Sequence, residues 1–262
     1  PSFFGRVFFG SIVQYCLIIQ KVPMPDLVLS KTYNTENIPL WEDVLEITEK
    51  QPGQKGVSLC YLNYKNHINR KFEVQLGKSD EDYTTTPFGV SAWSGQVENR
   101  MELSVALPPS AVEVFKDLDA FIVQHAKKKH REWWPDIDNF EDLNYRSCVM
   151  HNNVEYEPLL KSKIKLYNPN KEELAAGVYN LVNNEIVQLG NTEVDRVKKV
   201  EALKARANLI VTVAPTAIWF KNKSLEWGLT IETKNVAVVP QQQDQRQETF
   251  MFDGMFTKTI AT

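Results

Sequence analysis

Residues 217–223 of the chain read Ala-Ile-Trp-Phe-Lys-Asn-Lys, an alternation of apolar and polar or amphipathic positions. An extended strand sends successive side chains to opposite faces. Trp219, Lys221 and Lys223 therefore share one face, and Ile218 and Phe220 the other. Residues 161–167 repeat the arrangement, with Lys161, Lys163, Lys165 and Tyr167 on one face and Ile164 and Leu166 opposite. The same period of two predicts strands over 57–64, 72–76 and 100–107, where Met101, Leu103 and Val105 line one side. The strand at 72–76 is expected beside that at 57–64. A hairpin is expected over 179–187 around Asn183-Asn184. Strands are also expected over 209–213 and 217–221, separated by a turn near Ala214-Pro215, with 228–239 as the last partner.

A period near 3.6 marks residues 110–131 as the principal helix, because Phe115, Leu118, Phe121, Ile122 and His125 follow one face. Pro108-Pro109 precedes it, and Ser110 and Glu113 have capping-box spacing. Lys127, Lys128, Lys129 and Arg131 fill its last turn, where cations complement the helix dipole. Trp133-Trp134-Pro135 ends it, and paired tryptophans there are expected to seal one end of a core. Weaker helical patterns cover 40–50, with Trp41, Val44, Leu45 and Ile47, and 192–207, with Val194, Val197, Val200, Leu203 and Ala207. Many short strands with one strong inserted helix predict a mainly β chain with inserted helices, α+β in class, as an OB-fold-like barrel with long insertions. A β-sandwich is the alternative. A doubly wound α/β fold is not expected, since no glycine-rich phosphate loop follows a strand.

At 262 residues and 43% hydrophobic content the chain can bury one sizeable core. We expect the principal domain over 40–240, an N-terminal extension over 1–39 and a mobile tail over 241–262, which is glutamine-rich and carries Phe250, Phe252 and Phe256. Residues 2–20 are rich in apolar residues, with only Arg6 charged, and Met24 opens Met24-Pro25-Asp26-Leu27. Residues 1–23 therefore read as an upstream extension or, in the competing reading, a targeting segment. A formal net charge of -3 and a pI near 5.9 argue against a generally basic nucleic-acid binder. A local basic surface is compatible with that balance, because the field at the contact surface decides binding.

Catalytic chemistry is not expected. Cys16, Cys60 and Cys148 are odd in number and widely spaced, unlike a disulfide framework or a zinc site. His67, His125, His130 and His151 show no metal-ligand pairing. The acids Asp117, Asp119, Glu132, Asp136, Asp138, Glu141 and Asp142 are irregularly spaced and suit a helix surface and an exposed loop. No nucleophile elbow, phosphate loop or kinase set occurs. No cofactor and no metal are expected, and the chain is read as a non-enzyme.

Single-stranded nucleic acid is held by bases stacked on aromatic rings within a cationic groove, about 1–3 kcal/mol per base. Lys161, Lys163, Lys165 and Tyr167, with Trp219, Lys221 and Lys223, supply both ingredients, and Lys204 and Arg206 precede the strand at 209. The plain alternative is that these lysines form the solvated face of an antiparallel strand and guard its edge. A second functional reading is a structural or scaffold module, a virion or assembly component, using the same aromatic surface as a protein interface. DNA and RNA present the same rings and phosphates, so the sequence does not separate them.

The order of several segments sharpens the choice. Residues 56–64 (GVSLCYLNY), 86–93 (TPFGVSAW), 101–105 (MELSV), the helix end Glu132-Trp133-Trp134, residues 156–164 (YEPLLKSKI), and 218–223 leading to 228–230 resemble a family of giant DNA viruses and some eukaryotes. Its layout is similar to that of the OB-fold single-stranded DNA-binding proteins of large DNA viruses and tailed phages. The resemblance spans roughly residues 53–240. It implies coating and protection of single-stranded DNA in replication, recombination or repair, with replication proteins and further copies of the chain as partners and no membrane. The site would be intracellular, in a nucleus or a cytoplasmic viral replication site. Phage relatives end in an acidic tail with a terminal aromatic; here the tail carries only Asp244, Glu248 and Asp253 and ends Ala261-Thr262, a departure from that pattern.

Overall fold

A computed structural model describes residues 33–240, except 37, 54, 68–69, 80–81, 93–100, 152–156, 169, 171–174, 183–184 and 222. Along the chain run β1 (Tyr33–Asn34), α1 (Trp41–Val44), β2 (Leu45–Ile47), β3 (Gln51–Pro52), β4 (Val57–Tyr64), β5 (Val74–Leu76), β6 (Thr84–Thr86) and β7 (Val90–Ala92). They are followed by β8 (Met101–Ala106), α2 (Pro109–Lys128), α3 (His130–Trp133), β9 (Asn144–Arg146), β10 (Val149–Met150) and β11 (Leu159–Ile164). The last elements are β12 (Gly177–Val182), β13 (Glu185–Gln188), α4 (Glu193–Ala202), β14 (Ala207–Lys221) and β15 (Glu226–Val239). The class is mainly β with inserted helices.

The long β14–β15 hairpin is the spine. Its strands pair antiparallel from Asn208↔Val239 to Phe220↔Trp227. On the far side of β14 lie β4, β5 and β6; on the far side of β15 lie β9, β11 and β12, all parallel to it. The main path continues from β11 to β8 and β7. Helix α2 covers the inner face of this sheet. Phe115, Leu118 and Ile122 are fully buried in one core cluster with Leu103, Val105, Leu160, Ile164, Ile218 and Phe220. At the hairpin end, Trp133 and Trp134 each stand 5.1 Å from Phe220, and Trp134 stands 5.3 Å from Trp227. The tryptophan pair thus seals the core, as its position after the helix predicts.

Several expectations need correction. Residues 40–50 form one helical turn and then β2, because Leu45 and Ile47 pair with Tyr64 and Leu62 of β4 and tertiary pairing overrides a short helical pattern. The strand expected over 72–76 is β5, which pairs with β14 rather than with β4. Helix α2 begins on Pro108 and Pro109, and no side chain caps it, so the Ser110/Glu113 box is not made. In α4 the box is instead formed by Thr192 and Asp195, while Val194 and Val197 are exposed rather than packed. No turn interrupts 209–221: β14 is continuous, and Pro215 is accommodated at the register shift between Pro215 and Ala217. The N-terminal residues 1–32 and the tail 241–262 lie outside the described residues, as does Trp93.

Candidate nucleic-acid interface

The alternation at 217–221 holds in the structure and places the two faces as expected. Ile218 and Phe220 point into the core, at 0% and 1% exposure. Trp219 is half-buried and Lys221 exposed on the outer face. The buried partner of the motif therefore fixes the exposed one, because the tryptophan cluster that clamps Phe220 also sets the direction of its neighbours.

Cross-strand register defines what surrounds Trp219. It stands opposite Gly228 on β15 and Leu59 on β4. A Cβ at Gly228 would lie 2.9 Å from Trp219 Cζ2, so the indole lies directly over the glycine. Lys221 Nζ stands 5.6 Å from the centre of the indole ring, within the range of a cation–π contact. Ala217, two residues back on the same face, pairs with Thr230 and Tyr61, and Tyr61 is 42% exposed. A diagonal pair of this kind sets Tyr61 and Trp219 about 7 Å apart. Gly228, Ala217 and Thr230 thus make a floor of small residues bordered by two rings.

Cations border the same floor. Lys163, on β11, donates to Thr230 Oγ1 at 3.4 Å. Arg146, opposite Gly228 across β9, reaches Glu226 at 2.6 Å, and Lys221 binds the other oxygen of that carboxylate at 2.6 Å. Hydrogen bonds from Lys221 and then Arg146 hold the Glu226 carboxyl down at about 2. Further along β15, burial raises the Glu232 carboxyl, but the Lys234 hydrogen bond and the charges of Lys234, Lys165 and Lys163 more than offset it and bring it below the usual range. Lys161 is engaged by Glu102 at 2.8 Å. Much of the positive charge therefore meets a carboxylate, yet lysines and Arg146 outnumber Glu102, Glu226 and Glu232 across this face.

The nine residues singled out from sequence do not form one cluster. Lys161 and Lys163 on β11 and Trp219 and Lys221 on β14 lie on one face with β15 between the two strands, and Lys223 is exposed in the hairpin turn beside them. Tyr167 follows β11 and is half-buried. Lys163 pairs with Glu232, four residues beyond Gly228 on a parallel strand, and Tyr167 lies a further four residues along the chain, past the end of β11, so it stands away from Trp219. Lys204 and Arg206 are exposed in the turn before β14, at the end opposite Trp219. Tyr61 and Arg146 are members of the site that sequence reasoning missed. Tyr61 was visible in the alternation of residues 57–64, but only the β4–β14 register shows that its face is the face of Trp219.

Among the described residues no group of histidines, cysteines and acids could hold a metal ion. No helix among them is long and apolar enough to cross a membrane. Cys60 is buried at 0% exposure, and burial pushes its thiol up to about 12. The acids of the α2 region are dispersed: Asp119 is buried and hydrogen-bonded, whereas Asp138 pairs on the surface with Arg131.

No family model and no curated protein matches the chain. Among solved structures, the fold is similar to that of the single-stranded DNA-binding protein from bacteriophage Enc34 in complex with ssDNA, at 9% identity and a TM-score of 0.40, over 75% of this chain and 97% of that one. It is also similar to gp2.5, a single-stranded DNA-binding protein encoded by bacteriophage T7, at 12% identity and a TM-score of 0.43, over 70% of this chain and 98% of that one. A second structure of the Enc34 protein matches at 10% identity and a TM-score of 0.37, over 77% of this chain and 95% of that one. At this distance the likeness carries no functional argument.

Proposed function

We propose that the outer face of the β4–β14–β15–β11 sheet binds single-stranded DNA without catalysis. The observation that supports this most directly is Trp219, a half-buried indole laid over Gly228 with Lys221 5.6 Å from its ring and Lys163 close by on Thr230. A base stacks on the indole, and the lysines neutralise the flanking phosphates. This reading takes the sheet as OB-like and assigns the chain to the giant-virus family it resembles, with coating of single strands in replication or repair as its role. Fluorescence anisotropy with a labelled thymidine oligonucleotide tests it. Trp219→Ala is expected to weaken binding about 5- to 150-fold, the equivalent of one stacked base at about 1–3 kcal/mol. Lys221→Ala is expected to lower the slope of log K against log salt by about 0.7, one phosphate on a single strand. Wild-type protein that shows no salt-sensitive binding, or a Trp219→Ala variant that binds as wild type does, overturns the proposal.

A further inference from the structure

Glu226 is held by two cations that come from different elements. Arg146 on β9 and Lys221 on β14 each approach one of its carboxylate oxygens at 2.6 Å. The two cationic side chains are 60% and 52% exposed, whereas that of Glu226 is 19% exposed. Two open cations converging on one anion at the rim of the Trp219 platform have the composition of a phosphate seat, since arginine and lysine both recognise phosphate oxygens by charge-assisted hydrogen bonds. We infer that Arg146 and Lys221 form a seat for one phosphodiester of a bound strand, and that the Glu226 carboxylate occupies this seat in the free protein as an internal competitor. The inference rests on the single-strand reading of this face.

The chemistry of exchange is balanced in charge. A phosphodiester and a carboxylate each bring one negative charge, so the incoming phosphate replaces what the departing Glu226 supplied to Arg146 and Lys221. Neighbouring geometry favours the exchange at this place. Lys221 already stands over the indole, so a base stacked on Trp219 carries its own phosphate to the rim where Lys221 and Arg146 meet. Glu226 then governs affinity by occupying the seat rather than by touching the strand.

Anisotropy titration of the full chain against a thymidine oligonucleotide over a salt series tests the seat. Glu226→Gln empties it of charge and should tighten binding about 3- to 10-fold, with a steeper salt slope, by about 0.7 for each phosphate newly held. That gain should vanish in Glu226→Gln with Arg146→Ala. Glu193→Gln, at an exposed position of α4, which precedes the end of β14 opposite Trp219, controls for loss of any negative charge. Arg146→Ala alone is the second variant, expected to bind more weakly with a shallower slope, and it keeps the inference testable if the glutamine variant does not fold. Binding by Glu226→Gln that is unchanged or weaker than wild type overturns the seat, as does an equal gain in Glu193→Gln. Wild-type binding with an unresponsive Glu226→Gln overturns the seat alone; an absence of salt-sensitive binding in wild type overturns the reading of the whole face.

Discussion

Asp119 shows how a single residue can look like chemistry in the sequence and be architecture in the fold. It belongs to the acid-rich region that a metal-dependent nuclease would need, yet its carboxylate accepts from Tyr145 Oη at 2.5 Å, from Ser147 Oγ and from the Cys148 amide at 3.2 Å. One buried carboxylate thus ties the β9–β10 connection to α2, and through Tyr145 it steadies Trp227, 4.5 Å away. Truncation strands the buried Cys148 amide and the half-buried Tyr145 hydroxyl, each costing about 1–3 kcal/mol when unsatisfied, whereas Ser147 is exposed and also donates to the Val149 carbonyl. Asp119→Ala should therefore lower unfolding stability by about 2 kcal/mol or more, read as a reduced urea midpoint, and Asp119→Asn by less. Burial also raises both the Cys60 and Cys148 thiols. At pH 8 these thiols should resist iodoacetamide in the native protein and react after unfolding, as peptide mass mapping would show. At this scale the sequence was informative where a residue's neighbours along the chain decide its environment. The Trp219 face could be read from alternation alone, whereas the partners of Asp119, 26 to 29 residues away, could not.

At the scale of elements, the β14–β15 hairpin holds the site and α2 holds the hairpin. The proline at position 215 reads locally as a chain break, but a register shift absorbs its missing donor and lets β14 run on to Lys221. That continuity gives the outer face its length, from the Trp219 platform to the opposite end where Ile210 packs with Ala237 and Tyr179. It also explains why Lys204 and Arg206 stand apart from Trp219 although they are close to it in sequence: an extended strand of this length separates them by roughly 40 Å along its path. Strand periodicity assigns faces well and says nothing about which strands are neighbours, so the β4–β14 pairing that brings in Tyr61 was not legible. On α2, His125 lies 5.5 Å from Trp133, and burial, with Lys129 and Lys128 nearby, lowers its imidazole below 6.5. The fold therefore prefers the neutral ring, and the unfolded chain takes up the proton first. Stability from this group is complete above pH 6.5 and falls as the pH drops toward the lower folded value. His125→Gln should flatten the dependence of the urea midpoint on pH between about 7.5 and about 5; a dependence identical to wild type would assign the acid sensitivity to other groups.

For the whole molecule, the distribution of charge matters more than its sum. The formal charge is -3, so at a distance the protein repels a polyanion, and attraction depends on the cations gathered around Trp219. Beyond a Debye length of about 8 Å at physiological salt, that local field is screened, so a strand must be met closely and by more than phosphates. A duplex offers phosphates at high density but keeps its bases stacked inside, where Trp219 and Tyr61 cannot reach them. A single strand offers fewer phosphates and free base faces, each worth about 1–3 kcal/mol on an aromatic ring. The balance predicts that the full chain prefers a single-stranded oligonucleotide to the duplex of the same sequence by at least about 10-fold at physiological salt. It predicts further that Trp219→Ala with Tyr61→Ala erases most of that preference while Lys221→Ala lowers affinity for both forms. Competition anisotropy with the two unlabelled forms measures this directly. Equal affinity for duplex and single strand in the wild type would mean that the lysines act alone and that the two rings bordering the floor between β4, β14 and β15 serve another contact.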